Sequence, residues 1–345
     1  MKMENHIHKG DLLMSYVLKP LQAGSLVLAN RLVMPPMATA KAEADGSVSQ
    51  AVLDYYAEKT EGGYLPLVII EHSFIHLAGK AGERQLSIAD DKAIPGYKKL
   101  ADAIHRNGAK GIVQINHAGS AADQEVTGKA PVGPSAIANP RKGTIIPHEL
   151  TAQEIRELAA DFQHAARRVK EAGFDGVEIH SAHGYLLNQF FSPLTNQRKD
   201  EYGGTVLKRI RIHLEVIAAV REVVGKDYPI LLRLGASDFT AGGSTIEDSI
   251  AAVQEFEKAG VDILDISGGF CGYTIPDGSN EQGYFSPLTA AIKKVVSIPV
   301  ILTGGITQAQ AAEELLAEGK ADLIGVGRAV LKDSNWAQQA VNSLL

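Results

Sequence analysis

The feature that most constrains this chain is a rhythm of eight short, β-branched or leucine-rich runs. They lie at residues 31–34, 66–70, 111–115, 176–180, 230–234, 263–267, 299–303 and 323–326, and each reads as a buried strand. Segments with apolar residues three and four apart separate them, including 49–59, 97–107, 151–172, 206–224, 244–259, 287–296 and 307–318, and these read as helices. Eight such units predict an α/β fold: a (β/α)8 TIM barrel in a single domain over 18–345. Boundary residues agree. Thr151 and Glu154 have the spacing of a capping box, and Gly173, Gly260 and Gly319 stand where helices must close before the next strand. Residues 18–31 carry two apolar pieces around Gln22-Ala23-Gly24-Ser25, which predicts a hairpin plugging one barrel end. Residues 1–17 read as a flexible leader. The connection 117–150 after strand three is unusually long and holds four prolines, as a lid or substrate wall does.

Composition narrows the function. The 345 residues are 45% hydrophobic and 21% charged, enough for a large core. A net charge of −6 without a lysine or arginine run speaks against a nucleic-acid or membrane partner. Cys271, the single cysteine, excludes an intramolecular disulfide and a cysteine-ligated iron–sulfur cluster. With no cleavage-site pattern near 12–18 and no run of about 18 apolar residues, a cytoplasmic location is expected.

In this barrel, catalytic groups ride on loops at the carboxyl ends of the strands. His180, His183 and Tyr185 crowd the end of strand four, and three hydrogen-bond donors suit a reaction that builds negative charge on a substrate oxygen. Such a trio also serves to satisfy local backbone groups. A zinc reading of the two histidines is weaker, because no HExxH is present and no carboxylate or cysteine follows at ligand spacing. On strand five, Arg233 is flanked by leucines and needs an anion if it is buried. Strand three offers the Gln114 amide to a planar ring edge. Gly304-Gly305 after strand seven and Gly327-Arg328 after strand eight form the usual phosphate cradle of such barrels. A phosphate-bearing, ring-shaped, electron-accepting cofactor fills this set, and flavin mononucleotide (FMN) is the economical choice.

These residues resemble the old yellow enzyme family of FMN-dependent ene-reductases over 18–332. The motifs are the stretch 30–37 ending in Pro35-Pro36-Met37, Glu71-His72 after strand two, Gln114 with His117-Ala118-Gly119, and the run 180–204. Arg233, Gly304-Gly305 and Gly327-Arg328 complete the set. The resemblance implies that Pro36, Met37 and Ala38 lie beside the flavin, that His72 contributes backbone rather than imidazole, and that Gln114 meets the pyrimidine edge. It further implies Arg233 near N1, with Gly304, Gly305, Gly327 and Arg328 on the phosphate. His180 and His183 would hold a substrate carbonyl and Tyr185 would protonate the α-carbon. Hydride would pass from NAD(P)H, the co-substrate, through the flavin to the β-carbon of an α,β-unsaturated carbonyl compound.

Departures from the pattern matter too. Ala38 stands where relatives have a cysteine or threonine that tunes the flavin, so a flavin harder to reduce is expected, unless Thr39 compensates. Ala40 replaces a substrate-contacting tyrosine of one branch, which suggests a roomier pocket. Residues 335–345 hold no arginine, which speaks against the intersubunit arginine finger of that branch; a homo-oligomer stays open. The iron–sulfur and flavin domain of the larger dienoyl-CoA reductases is not expected in these residues. An amine or cyclic-compound dehydrogenase or demethylase on the same fold remains the nearest alternative. A metal-dependent hydrolase barrel would want an H-x-H where Leu32-Val33-Met34 stands, and a Schiff-base aldolase a lysine that 263–267 lacks.

Overall fold

The computed structural model describes residues 15–276, 278 and 280–345. Eight parallel strands close into a barrel in chain order. They are Leu32–Met34, Leu67–Phe74, Lys110–Asn116, Gly176–Ser181, Ile230–Gly235, Ile263–Ser267, Val300–Thr303 and Leu323–Gly325, numbered one to eight below. Helices occupy the predicted connections, and Thr151 and Glu154 make their reciprocal cap on the longest, Ala152–Glu171. One expectation needs correction. The segment 206–224 is not one helix but two, Val206–Arg209 and Arg211–Val224, parted at Ile210. There the buried Arg209 side chain turns away to donate to the carbonyls of Phe191 and Gly204, each at 2.7 Å.

Strand parity explains the interior. Side chains alternate across a strand, so every second residue points into the barrel. Ile112, Leu231, Ile263, Ile301 and Leu323 make one apolar inner layer with Val33, Leu67 and Ile69. The hairpin Leu21–Ala23 and Leu26–Leu28, turned at Gly24 in a left-handed conformation, seats Ala23, Leu26 and Leu28 against it. Leu28 is fully buried, and burial of such a side chain contributes about 1.5–3 kcal/mol. The predicted plug is therefore the floor of the barrel.

Of the expected leader, residues 1–14 lie outside the described residues. Ser15, Tyr16 and Val17 are tied to the Glu313 carboxylate at 2.6, 2.7 and 2.9 Å. Among the described residues no helix is long and apolar enough to cross a membrane.

Candidate active site

Two residues beyond the apolar layer, the same strands change character. Gln114, Glu178, Arg233, Asp265 and Thr303 take the next inward positions, and above them opens a cavity of about 550 Å³. The cavity is lined by every site residue expected from the sequence: Pro36, Met37, Ala38, His72, Gln114, His180, His183, Tyr185, Arg233, Gly304, Gly305, Gly327 and Arg328.

The strand-four cluster is compact. The His180 ring stands edge-on to His183 and to Tyr185, each centroid 5.2 Å away. His183 adopts a left-handed backbone, φ 62°, which turns the chain sharply and sends its Nε2 to Ser267 Oγ at 2.8 Å. Burial pushes both imidazoles well below their ordinary pKa, followed by the His183 ring for His180 and by the Arg233 charge for His183. They are neutral near pH 7, each with one N–H to donate. Burial raises the Tyr185 phenol, with Arg141 opposing, so it holds its proton. His180 Nδ1 is buried without a hydrogen-bond partner among the described residues. An orphaned polar atom beside a cavity marks a place for a ligand.

The His72 side chain also joins this cluster. Strand two runs on to Phe74, so Glu71 and His72 lie within it, where its register against strand three shifts between Ile70 and Ser73. Such irregularities re-aim side chains. The imidazole stacks on Tyr185 at 5.3 Å and is held by Gln85 at 2.9 Å and Asn116 at 3.3 Å. Its ring, and not its backbone alone, belongs to the cluster; burial, then Arg233, pushes its pKa down to about 4. His76 and His117 stack on each other, centroids 6.5 Å apart, and do not line the cavity.

Arg233 meets its anion inside the protein. Its Nε lies 3.1 Å from Asp265 Oδ2, an ion pair not aligned as a hydrogen bond. Gln114 spends one donor on Glu178, Nε2 to Oε2 at 2.7 Å. On the opposite side the glycine turn is tight by necessity. Gly305 has φ +71°, and a Cβ there would come within 2.7 Å of the Tyr284 ring and 2.8 Å of the Glu281 carbonyl oxygen.

Sequence reasoning missed several cavity residues. Asn139, Arg141 and Lys142 come from the long loop after strand three. Arg141 Nη1 donates to the His183 carbonyl at 2.8 Å, and Asn139 Nδ2 to that of Gly184 at 3.0 Å, so this loop does wall the cavity. No spacing announced them. Ser267 and Thr303 were legible by parity, as the last inward positions of strands six and seven. Ala40 does not line the cavity; it sits in a left-handed turn, φ 53°. Cys271 is also absent from the lining, and its thiol is pushed up to about 11, chiefly by burial.

The family described as NADH:flavin oxidoreductase / NADH oxidase matches residues 16–344. An NADH oxidase of Thermoanaerobacter brockii is 45% identical over 322 residues, covering 92% of this chain and 49% of that protein. The chain thus spans about half the length of that relative. An NADPH dehydrogenase of Listeria monocytogenes serotype 4b is 39% identical over 332 residues, 96% of either chain. Among solved structures, the old yellow enzyme homologue from Zymomonas mobilis superposes with a TM-score of 0.82 at 28% identity, covering 95% of this chain and 92% of that one. Matched by that family over 16–344 and folded as the same barrel, the chain belongs to the NADH:flavin oxidoreductase / NADH oxidase family, the FMN-binding barrels of the old yellow enzyme type.

Proposed function

We propose that this protein is an FMN-dependent NAD(P)H oxidoreductase that reduces the C=C bond of α,β-unsaturated carbonyl compounds. One observation carries the reading: proton donors and the cofactor-type residues converge on a single cavity. The residues fit FMN. Gly304, Gly305, Gly327 and Arg328 would take the phosphate, Gln114 and Arg233 the ring, and Pro36, Met37 and Ala38 its flank. Bound there, FMN supplies hydride exchange between a nicotinamide and an alkene.

The chain's own residues supply the rest. Neutral His180 and His183 donate to the substrate carbonyl oxygen, whose charge grows as the alkene is reduced, so their bonds strengthen toward the transition state. Tyr185, still protonated, delivers its proton to the α-carbon.

The test begins with the spectrum of the purified protein and identification of its acid-released pigment. FMN bleached by NAD(P)H and restored by 2-cyclohexenone is expected. Tyr185→Phe should slow restoration by about 10²–10⁴-fold while leaving bleaching by NAD(P)H intact. Restoration at the wild-type rate would remove Tyr185 from the proton transfer. A colourless protein that does not take up FMN would end the reading.

A further inference from the structure

The polar layer at the base of the cavity holds two carboxyl side chains that the chemistry above does not use. Gln114 on strand three and Glu178 on strand four are direct register partners, and so are Arg233 on strand five and Asp265 on strand six. Glu178 and Asp265 are completely buried and neither lines the cavity. Each stands beside a side chain that does, on the neighbouring strand. We propose that Glu178 and Asp265 are positioning residues for the flavin: Glu178 fixes which way the Gln114 amide faces, and Asp265 offsets the charge that Arg233 presents to the ring.

The geometry sets the hand of Gln114. Glu178 Oε2 accepts from Gln114 Nε2 at 2.7 Å, so the amide carbonyl is turned from the carboxyl and left for the cavity. An amide lacking that anchor has two orientations, and only one offers an acceptor to a ring N–H. Asp265 is fixed from two sides, by Arg233 Nε at 3.1 Å and by Thr303 Oγ1, which donates to Oδ1 at 3.3 Å.

Charge in the layer follows from counting. One guanidinium cannot neutralise two buried carboxylates, and an unpaired buried charge is costly. Asp265 touches the guanidinium, whereas Glu178 faces a neutral amide. The proton therefore sits on Glu178. Burial pushes the Glu178 carboxyl well above the usual range, Asp265 adds to that, and Arg233 and Gln114 oppose it; burial raises Asp265 as well, but there the adjoining Arg233 is the first opposing group, followed by Thr303. The layer is then a neutral acid beside an ion pair, and Arg233 shows the cavity only part of its charge.

This inference rests on the placement of Gln114 and Arg233 at the flavin, so the experiment separates the two. Holoenzyme variants Glu178→Gln, Glu178→Leu, Gln114→Leu and the double variant Glu178→Gln with Asp265→Asn are compared by FMN dissociation constant and by midpoint potential at pH 7.5. Glu178→Gln is expected to keep both near wild type, since a neutral amide replaces a neutral acid. Glu178→Leu should weaken FMN about tenfold, matching Gln114→Leu, because the two act as one unit. The double variant leaves no second carboxylate to take over, and should favour the reduced cofactor by about tenfold, or about 30 mV upward for a two-electron couple. Glu178→Leu with wild-type affinity, while Gln114→Leu is weakened, would overturn the positioning role alone. Wild-type affinity in Gln114→Leu would overturn the placement at the flavin as well. A potential raised in Glu178→Gln by as much as in the double variant would show that Glu178 is charged, and would overturn the arrangement even if the leucine variants fail to fold.

Discussion

The floor and the mouth of this barrel are made by the same strands two residues apart, and they are opposites. At the floor, Ile112, Leu231, Ile263 and Ile301 meet the hairpin in a layer built of apolar side chains. Two residues on, Gln114, Arg233 and Thr303 line a cavity, and His180, two residues beyond Glu178 on strand four, keeps an unpartnered nitrogen. The floor gains free energy from burial, whereas the mouth forgoes it to hold desolvated polar groups in place. Stability and function are thus divided along the barrel axis, and each end should fail in its own way.

Acid should separate them most. Three imidazoles are held neutral: His72 on the cavity wall, and the buried His117 after strand three and His213 on the helix Arg211–Val224, with pKa values pushed down by burial to about 4, about 3 and about 3. Unfolded, each titrates near 6.5. Below that pH the unfolded chain takes up protons that the folded one refuses, so the stabilisation present above 6.5 is lost as pH falls toward 4 and 3. At pH 5 this amounts to roughly 2 kcal/mol per imidazole. Urea unfolding at pH 7.5 and pH 5.0 checks it; equal stability at both would contradict the neutral burial. Next in size, Leu28→Ala at the floor should cost about 2–5 kcal/mol in the same assay. Its FMN affinity should stay at wild type, and a weakened FMN would show that the two ends are coupled. Gly305→Ala should do the reverse. The added methyl meets the Tyr284 ring and forces the cradle open, so FMN should bind about tenfold or more weakly. Unchanged binding there would remove Gly305 from the cradle.

The two ends also differed in how far they could be read from the sequence. The floor was legible because alternation and burial are local: the hairpin turn, the strand runs and the helix-closing glycines each act within a few residues. At the mouth, residues that terminate strands were legible for the same reason, including His180, Arg233 and Gly304-Gly305. Arg141 and Lys142 were not, because their position depends on how a loop with little regular structure folds back over strand four. The place of the His72 imidazole beside Tyr185 was not legible, because it lies where the register of strand two shifts, and no pattern of apolar residues records such a shift. Glu178 and Asp265 were within reach. Parity places both inside, and two buried carboxylates next to one arginine form a problem that the sequence poses and only the register solves.

The smallest expected effect sharpens the comparison at one atom. Ala38 lines the cavity at the position where the family resemblance implies a cysteine or threonine, and Thr39 was the expected substitute. The structure spends Thr39 elsewhere: its hydroxyl donates to Glu71 Oε1 at 2.6 Å and its amide to Oε2 at 2.7 Å. Glu71 is itself buried, which raises its carboxyl despite these bonds, and its backbone N–H is capped by the Tyr56 hydroxyl at 2.9 Å. A hydroxyl that satisfies a buried carboxylate has no reason to turn toward the flavin, since leaving that group unmet costs more than one new bond returns. Ala38→Cys should therefore raise the midpoint potential by about 20 mV, from one net hydrogen bond of about 1 kcal/mol against about 30 mV per 1.4 kcal/mol for two electrons. Thr39→Val should leave the potential where it is. If Ala38→Cys changes nothing while Thr39→Val lowers the potential, the hydroxyl serves the flavin after all, and the mouth is less rigidly divided between holding itself together and holding its cofactor.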